Sequence, residues 1–245
     1  MTTIAFDRRR LFDEVRAILG RGFTKGEVAR IDRAIDSALG VKSRPARLGT
    51  LSERYESGGR GPGTVSGGTG DPGGVSYGTY QLASRTGTAA KFVASEGARW
   101  AQELCDAPGS AAFSAAWRRI AAREGDQFGE AQHAFIKRTH YDPVVRAVRE
   151  KTGIDLDGFP DALRDVVWSL AVQHGGATRI VQTAIGAVGA GDPRALIEAI
   201  YAARTAYVLR VAARSNAAAR RTLQSVTRNR YPAELRDALD LLEQG

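Results

Sequence analysis

Glu56 is the residue whose type and placement come nearest to chemistry. Thr50 and Glu53 have capping-box spacing and open a short helix over Leu51 to Ser57, which Gly58 and Gly59 end. Glu56 falls in its last turn, where the negative end of the helix dipole disfavours an ionised side chain, and it faces a loop too rich in glycine to bring counter-charges. A carboxyl so placed tends to hold its proton, as a general acid working on a glycosidic oxygen near neutral pH must. The plain alternative is a solvated glutamate at a helix end. The only acid in the loop itself is Asp71, in the turn Asp71-Pro72-Gly73-Gly74, and the glycines around it permit that turn to fold back toward Glu56 without demanding it.

Other chemistries find little support. The Walker pattern G-x-x-x-x-G-K-[ST] is absent and no lysine occurs between Lys42 and Lys91, so the glycine loop lacks the marks of a phosphate cradle and no nucleotide cofactor is expected. His133, His140 and His174 stand at no metal-ligand spacing, and no metal site is expected. The single cysteine, Cys105, can form neither an internal disulfide nor a four-thiolate zinc site, and reads as a small apolar residue on a helix face.

The elements that must position Glu56 and its loop follow from punctuation and periodicity. Asp7 caps a first helix with Leu11, Phe12, Val15, Ile18 and Leu19 on one face, and Thr24 with Glu27 opens a second whose Val28, Ile31, Ile35 and Leu39 repeat at helical intervals. Residues 1–45 therefore read as a helical hairpin and 46–245 as the main domain. Ten glycines between Gly58 and Gly78, with Pro62 and Pro72, exclude a regular helix there. Val65, Val75, Tyr77 and Tyr80 around the Asp71–Gly74 turn predict a small β-hairpin instead. From Thr86 onward the pattern is helical to the end, punctuated at Pro108-Gly109, Gly125, Asp142-Pro143, Gly153, Gly158 to Pro160, Gly175-Gly176, Gly186 to Asp192 and Pro232. The fold class is α+β and mostly helical. Trp100, Trp117 and Trp168 lie in alanine- or leucine-containing helical runs and read as core.

The 245 residues carry 35 Lys+Arg against 27 Asp+Glu, a net charge of +8, and between Arg194 and Arg230 eight arginines face one acid, Glu198. Such a field favours polyanions: nucleic acid, anionic lipid or acidic cell-wall polymer. Arginines spaced along an alanine-rich helix also describe a plain solvated face. No stretch approaches the roughly 18 to 20 apolar residues of a membrane span. The opening MTTIAFDRRR turns charged before an export signal could form, so synthesis in the cytoplasm without a signal peptide is expected.

Three short motifs add a resemblance. Arg54-Tyr55-Glu56-Ser57-Gly58-Gly59, then Ser76-Tyr77-Gly78-Thr79-Tyr80-Gln81-Leu82-Ala83-Ser84, then Ala171-Val172-Gln173-His174-Gly175-Gly176-Ala177-Thr178-Arg179-Ile180-Val181 resemble, in this order, segments of the lysozyme-like superfamily, which includes phage endolysins, goose-type lysozymes and lytic transglycosylases. The resemblance implies a lysozyme-like domain whose catalytic acid matches Glu56, whose substrate wall matches Ser76, Tyr77, Gly78 and Gln81, and whose floor matches Gln173 and His174. It implies a glycosidase, a muramidase cutting the MurNAc–GlcNAc bond of peptidoglycan in cell lysis, acting as a monomer after release by a holin or a secretion machine. The arginine-rich segment would then meet anionic lipid phosphates. Ser76 stands where hen-type enzymes place a second carboxylate, so Asp71 is the expected partner acid for hydrolysis, and a transglycosylase forming 1,6-anhydro products is the alternative. A different class, a non-enzymatic binder of nucleic acid or anionic surfaces, would rest on Arg194 to Arg230 alone.

Overall fold

The computed structural model describes residues 8–23, 31, 35, 48–49, 61–68, 70–175 and 178–244. Two compact units divide the chain, residues 1–47 and 48–245. In the first unit the helix α1 (Arg8–Leu19) is ended by Gly20 in a left-handed conformation, and Phe12 meets Phe23 edge-on at 5.4 Å. The second arm of the expected hairpin lies outside the described residues apart from Ile31 and Ile35, as does the whole short helix with Glu56.

Among the described residues the larger unit is mostly helical with one two-stranded sheet, as an α+β reading requires. Strands β1 (Ser76–Tyr77) and β2 (Leu82–Ala83) run antiparallel, Ser76 opposite Ala83 and Tyr77 opposite Leu82. The expected hairpin around Asp71–Gly74 is displaced by one turn. That turn exists, with Gly74 N–H donating to the Asp71 carbonyl at 2.9 Å, but the ladder closes around Gly78–Gln81, and Val65 forms a lone bridge to the other side of Tyr77. The reason is Tyr77, the residue that both neighbours must flank. It is wholly buried, packed on Phe113 and Trp117 with its hydroxyl between Ser114 Oγ at 2.8 Å and the Gly109 amide at 2.9 Å.

Helix α2 (Thr88–Val93) follows β2 directly, held by Thr88 Oγ1, which accepts from the Ala83 amide at 2.7 Å. Helix α3 (Ala111–Ile136) is opened by Ser110, whose hydroxyl accepts from Phe113 N. It buries Phe113, Trp117, Ile120, Phe128 and Phe135 along one stripe, broken only where Glu124 leaves helical geometry before Gly125. Trp117 meets Phe128 at 4.6 Å, Trp100 meets the same ring at 4.8 Å, and Phe92 closes the cluster. All three tryptophans are core residues. Cys105 is not on a helix and is exposed, because the chain turns between Trp100 and Ser110 rather than continuing helically.

Asp142-Pro143 was expected to interrupt the helices, yet the backbone passes through it. Lys137–Tyr141 form one π-helical turn leading into α4 (Asp142–Thr152), with the Asp142 amide bonded to the Lys137 carbonyl five residues back. Proline has no N–H to continue the four-residue ladder and its ring crowds the preceding turn, so widening that turn lets the chain run on. The arrangement recurs at Pro232, where Val226–Arg230 form a second π turn before the last helix.

Helix α5 (Asp161–His174) is apolar on most sides, burying Leu163, Val166, Val167, Trp168, Leu170 and Ala171, and so occupies the centre of the unit. The later helices are α6 (Thr178–Val188), α7 (Pro193–Ala213), α8 (Ala217–Ser225) and α9 (Tyr231–Glu243); α7 and α9 pack on α5, while α6 and α8 pack on α7. Gly153 and Gly175 stop α4 and α5 in left-handed conformations, as their positions in the sequence require. Among the described residues no helix is long and apolar enough to cross a membrane.

Candidate functional site

Two groups of the expected site residues are described. The first is the loop and hairpin. Asp71 is exposed and its carboxylate accepts from the Gly73 amide at 2.7 Å, an interaction that holds the acid to its own turn. This turn borders an open cleft of about 760 Å³ that Gly68, Gly70, Ser84, Arg85 and Pro108 also line. Ser76 is buried, its amide bonded to Ser66 Oγ at 2.8 Å. Tyr77 presents no side-chain surface at all.

Gly78 has φ +73°, and a Cβ there would stand 2.2 Å from Gln132 Oε1. Gln132, fully buried, explains the approach: it accepts from the Thr79 amide and donates to the Pro62 carbonyl, both at 3.1 Å, clamping the hairpin turn to the preceding loop. Gln81 is exposed at the tip and is the only non-glycine among the described residues with positive φ, at 53°. Strain of this kind persists where the surroundings over-determine the backbone, and it clusters at binding sites. Beneath the turn, the Tyr80 hydroxyl meets His133 Nδ1 at 3.0 Å, and the His133 ring stacks on Trp168 at 4.4 Å and 11°. Trp168 Nε1 is buried without a hydrogen-bond partner among the described residues, and Gly49 lies so close that a Cβ would be 2.7 Å from that nitrogen. The Gly49 amide donates to the buried Asp165 carboxylate.

The second group is at the end of α5. Gln173 Oε1 accepts from Tyr231 at 2.8 Å and from both Nε and Nη2 of Arg204. His174 Nε2 lies 3.2 Å from the Tyr231 hydroxyl. Burial first, then the charges of Arg204 and Arg230, push the His174 imidazole down to about 4, so it is neutral at physiological pH. Arg204 itself is 0% exposed and pairs with the equally buried Glu234 at 3.0 Å. Arg230 holds the other oxygen of Glu234 at 2.7 Å, while Ser169 and Tyr201 complete its surroundings.

Arg204, Glu234 and Tyr231 were not foreseen as a unit. The sequence places Arg204 in an arginine run that reads either as a field for polyanions or as a plain solvated face, although it follows Leu196, Ile197, Ile200 and Tyr201 on the same helical stripe and precedes Val208 there. A charged residue on an apolar stripe was the available signal. The arginine run is in fact divided in its roles: Arg194 pairs with Glu243, Arg220 bonds the carbonyls of Ala212 and Ser215 at the end of α7, and Arg210, Arg214, Arg221 and Arg228 are exposed. Hairpin residues and α5-end residues thus form two separate clusters, each internally bonded, and Glu56 is outside the described residues. Among those residues no group of three His, Cys, Asp or Glu is placed to hold a metal ion.

Comparison with known proteins corrects the resemblance. Residues 48–234 match the family described as "Type VI secretion system spike protein VgrG3-like, C-terminal". The type VI secretion system spike protein VgrG3 of Vibrio cholerae serotype O1 is 42% identical over 138 residues, which are 56% of this chain and 13% of that protein. These matches name a secretion spike, so the expected lysozyme-like superfamily membership, the phage endolysin identity and the wall-lysing glycosidase function are replaced. The match begins at Leu48, where the larger unit begins, and runs into α9. The chain belongs to the type VI secretion system spike protein VgrG3-like, C-terminal, family.

Proposed function

We propose that the chain is a spike-borne module, carried out of the producing cell by a type VI secretion machine and engaging the peptidoglycan of the cell it reaches. The observation that carries this reading is the extent of the family match, which takes in nearly the whole larger unit and omits the first. Association with the spike and its apparatus follows from the same kinship. The net charge of +8 and the exposed Arg210, Arg214, Arg221 and Arg228 supply attraction to an anionic wall polymer. Contact with the glycan is proposed at the exposed Gln81 of the strained hairpin turn, which the buried Ser76, Tyr77 and Gly78 hold in place, and separately at Gln173 and His174, with Glu56 and Asp71 proposed as the carboxylates.

The test has two arms. Cells carrying a working contractile sheath should release the chain into the medium, and an otherwise identical strain without the sheath should not; equal release from both overturns the delivery reading. Purified chain should sediment with isolated sacculi at low salt, and failure to do so overturns the wall-directed reading. Soluble reducing sugar appearing during that incubation would add an enzymatic activity to the binding, while an unchanged supernatant leaves a binding module.

A further inference from the structure

A second cleft opens where α5 ends and α6 and α7 meet. It has a volume of about 580 Å³, within the range of sites for small ligands, and its lining includes His174, Thr183, Tyr207, Arg179 and Arg210. Arg179 stands on α6 and Arg210 on α7, both exposed, and no ion pair engages either among the described residues. No described residue lining the cleft is an aspartate or glutamate. The Tyr207 ring meets the His174 ring edge-on at 5.4 Å, and both residues line the same cleft as Arg179 and Arg210. Behind His174 lies the Arg204–Glu234 pair, fully buried and bonded through Gln173 and Tyr231, which fixes the floor without placing a carboxylate in the cleft. Because the imidazole is neutral, Arg179 and Arg210 are the cations that face the space.

We propose that this cleft is an oxyanion site that takes the carboxylate of an acidic saccharide, with Arg179 and Arg210 holding the charge and the Tyr207 ring, steadied edge-on by His174, offering an aromatic face to the sugar ring. Guanidinium groups match a carboxylate in geometry and hold it by charge-assisted bonds, and aromatic faces suit the apolar side of a sugar. The choice of a saccharide deepens the wall-directed reading above and rests on it.

The experiment is an NMR titration of the chain that follows the ring protons of His174, assigned with a His174→Gln variant. N-acetylmuramic acid carries a carboxylate, and N-acetylglucosamine is its neutral counterpart. The acid should shift the His174 signals saturably and bind at least about tenfold more tightly than the neutral sugar. In an Arg179→Gln/Arg210→Gln double variant, whose changes are on the surface and whose melting temperature checks the fold, that preference should vanish. Equal affinity for the two sugars, or an unchanged preference in the double variant, overturns the proposal. Tighter binding of inorganic phosphate than of the sugar acid overturns it too, in favour of a phosphate-bearing ligand. Sedimentation with sacculi is independent of this titration, so wall binding can fail while the oxyanion site stands, and the reverse.

Discussion

Breaking the Arg204–Glu234 pair one partner at a time should produce two unequal losses. Both side chains are 0% exposed, so neither charge can turn to water if its partner is removed. Removing one member of such a pair costs about 3 to 5 kcal/mol, because the survivor is left charged and buried. The surroundings rank the two changes. In Glu234→Ala, Arg204 keeps only neutral partners, Gln173 Oε1 and Ser169, so the loss should lie at the upper end. In Arg204→Ala, Glu234 keeps Arg230 at 2.7 Å and the Tyr201 hydroxyl at 3.3 Å, so the loss should lie at the lower end. For a unit of this size about 1 kcal/mol moves the melting point by roughly 2 to 4 °C, which puts the shifts at about 6 to 20 °C. Replacing both by apolar residues, Arg204→Met with Glu234→Leu, should recover much of the loss, since no buried charge remains. Urea unfolding followed by circular dichroism measures all three, with Arg214→Ala as an exposed control expected within about 0.5 kcal/mol of the parent. Losses below about 1 kcal/mol for both single variants, or the reverse ranking, would refute the reasoning.

Gly78→Ala should destabilise by at least about 1 to 3 kcal/mol, since φ is +73° and the new Cβ would displace the Gln132 amide; an unchanged melting temperature would show that the turn relaxes freely. His174 links stability to pH with a definite sign. Its folded value, about 4, is below the ordinary 6.5, so between those values the unfolded chain binds the extra proton; stability should be full above pH 6.5 and fall toward pH 4. His140 is shifted down by burial in the same direction, so a His174→Gln variant should show a shallower decline in melting temperature across that window rather than none. Retention on sacculi should weaken as salt rises past physiological strength, where the screening length is about 8 Å, and retention that is flat with salt would remove the exposed arginines from the interaction.

The helical content after Thr86 was legible because glycines and apolar spacing agree at boundaries such as Gly153 and Gly175, although at Gly125 and at Asp142-Pro143 the helices run on through the expected break. The hairpin was legible as an element but not in register. Tyr77 reads as an apolar residue of a glycine-rich hairpin and, by resemblance, as part of a substrate wall, and only the ring of partners from α3 shows that it is core. Arg204 failed in the opposite sense, since its charge outweighed its place on an apolar stripe. Both misplacements are tertiary: local sequence gives the direction of a side chain, and the distant residue that receives it decides burial. The lysozyme-like reading rested on three short motifs, whereas the family match covers residues 48–234, and the longer agreement decides kinship.

Each π turn also fixes an angular phase. A residue advances an α-helix by about 100°, so the extra residue accommodated before Pro143 and before Pro232 sets the rotation of everything that follows. In α4 that phase directs Val144, Val145 and Val148 inward. In α9 it directs Glu234, four residues after Arg230, at Arg204. Deleting one residue from Val226–Arg230 would leave a continuous helix and remove no contact of Arg204 directly, yet it would swing the Glu234 carboxylate by about 100° away from its guanidinium. The buried charge pair is therefore specified as much by the count of residues ahead of a proline as by the two residues that form it.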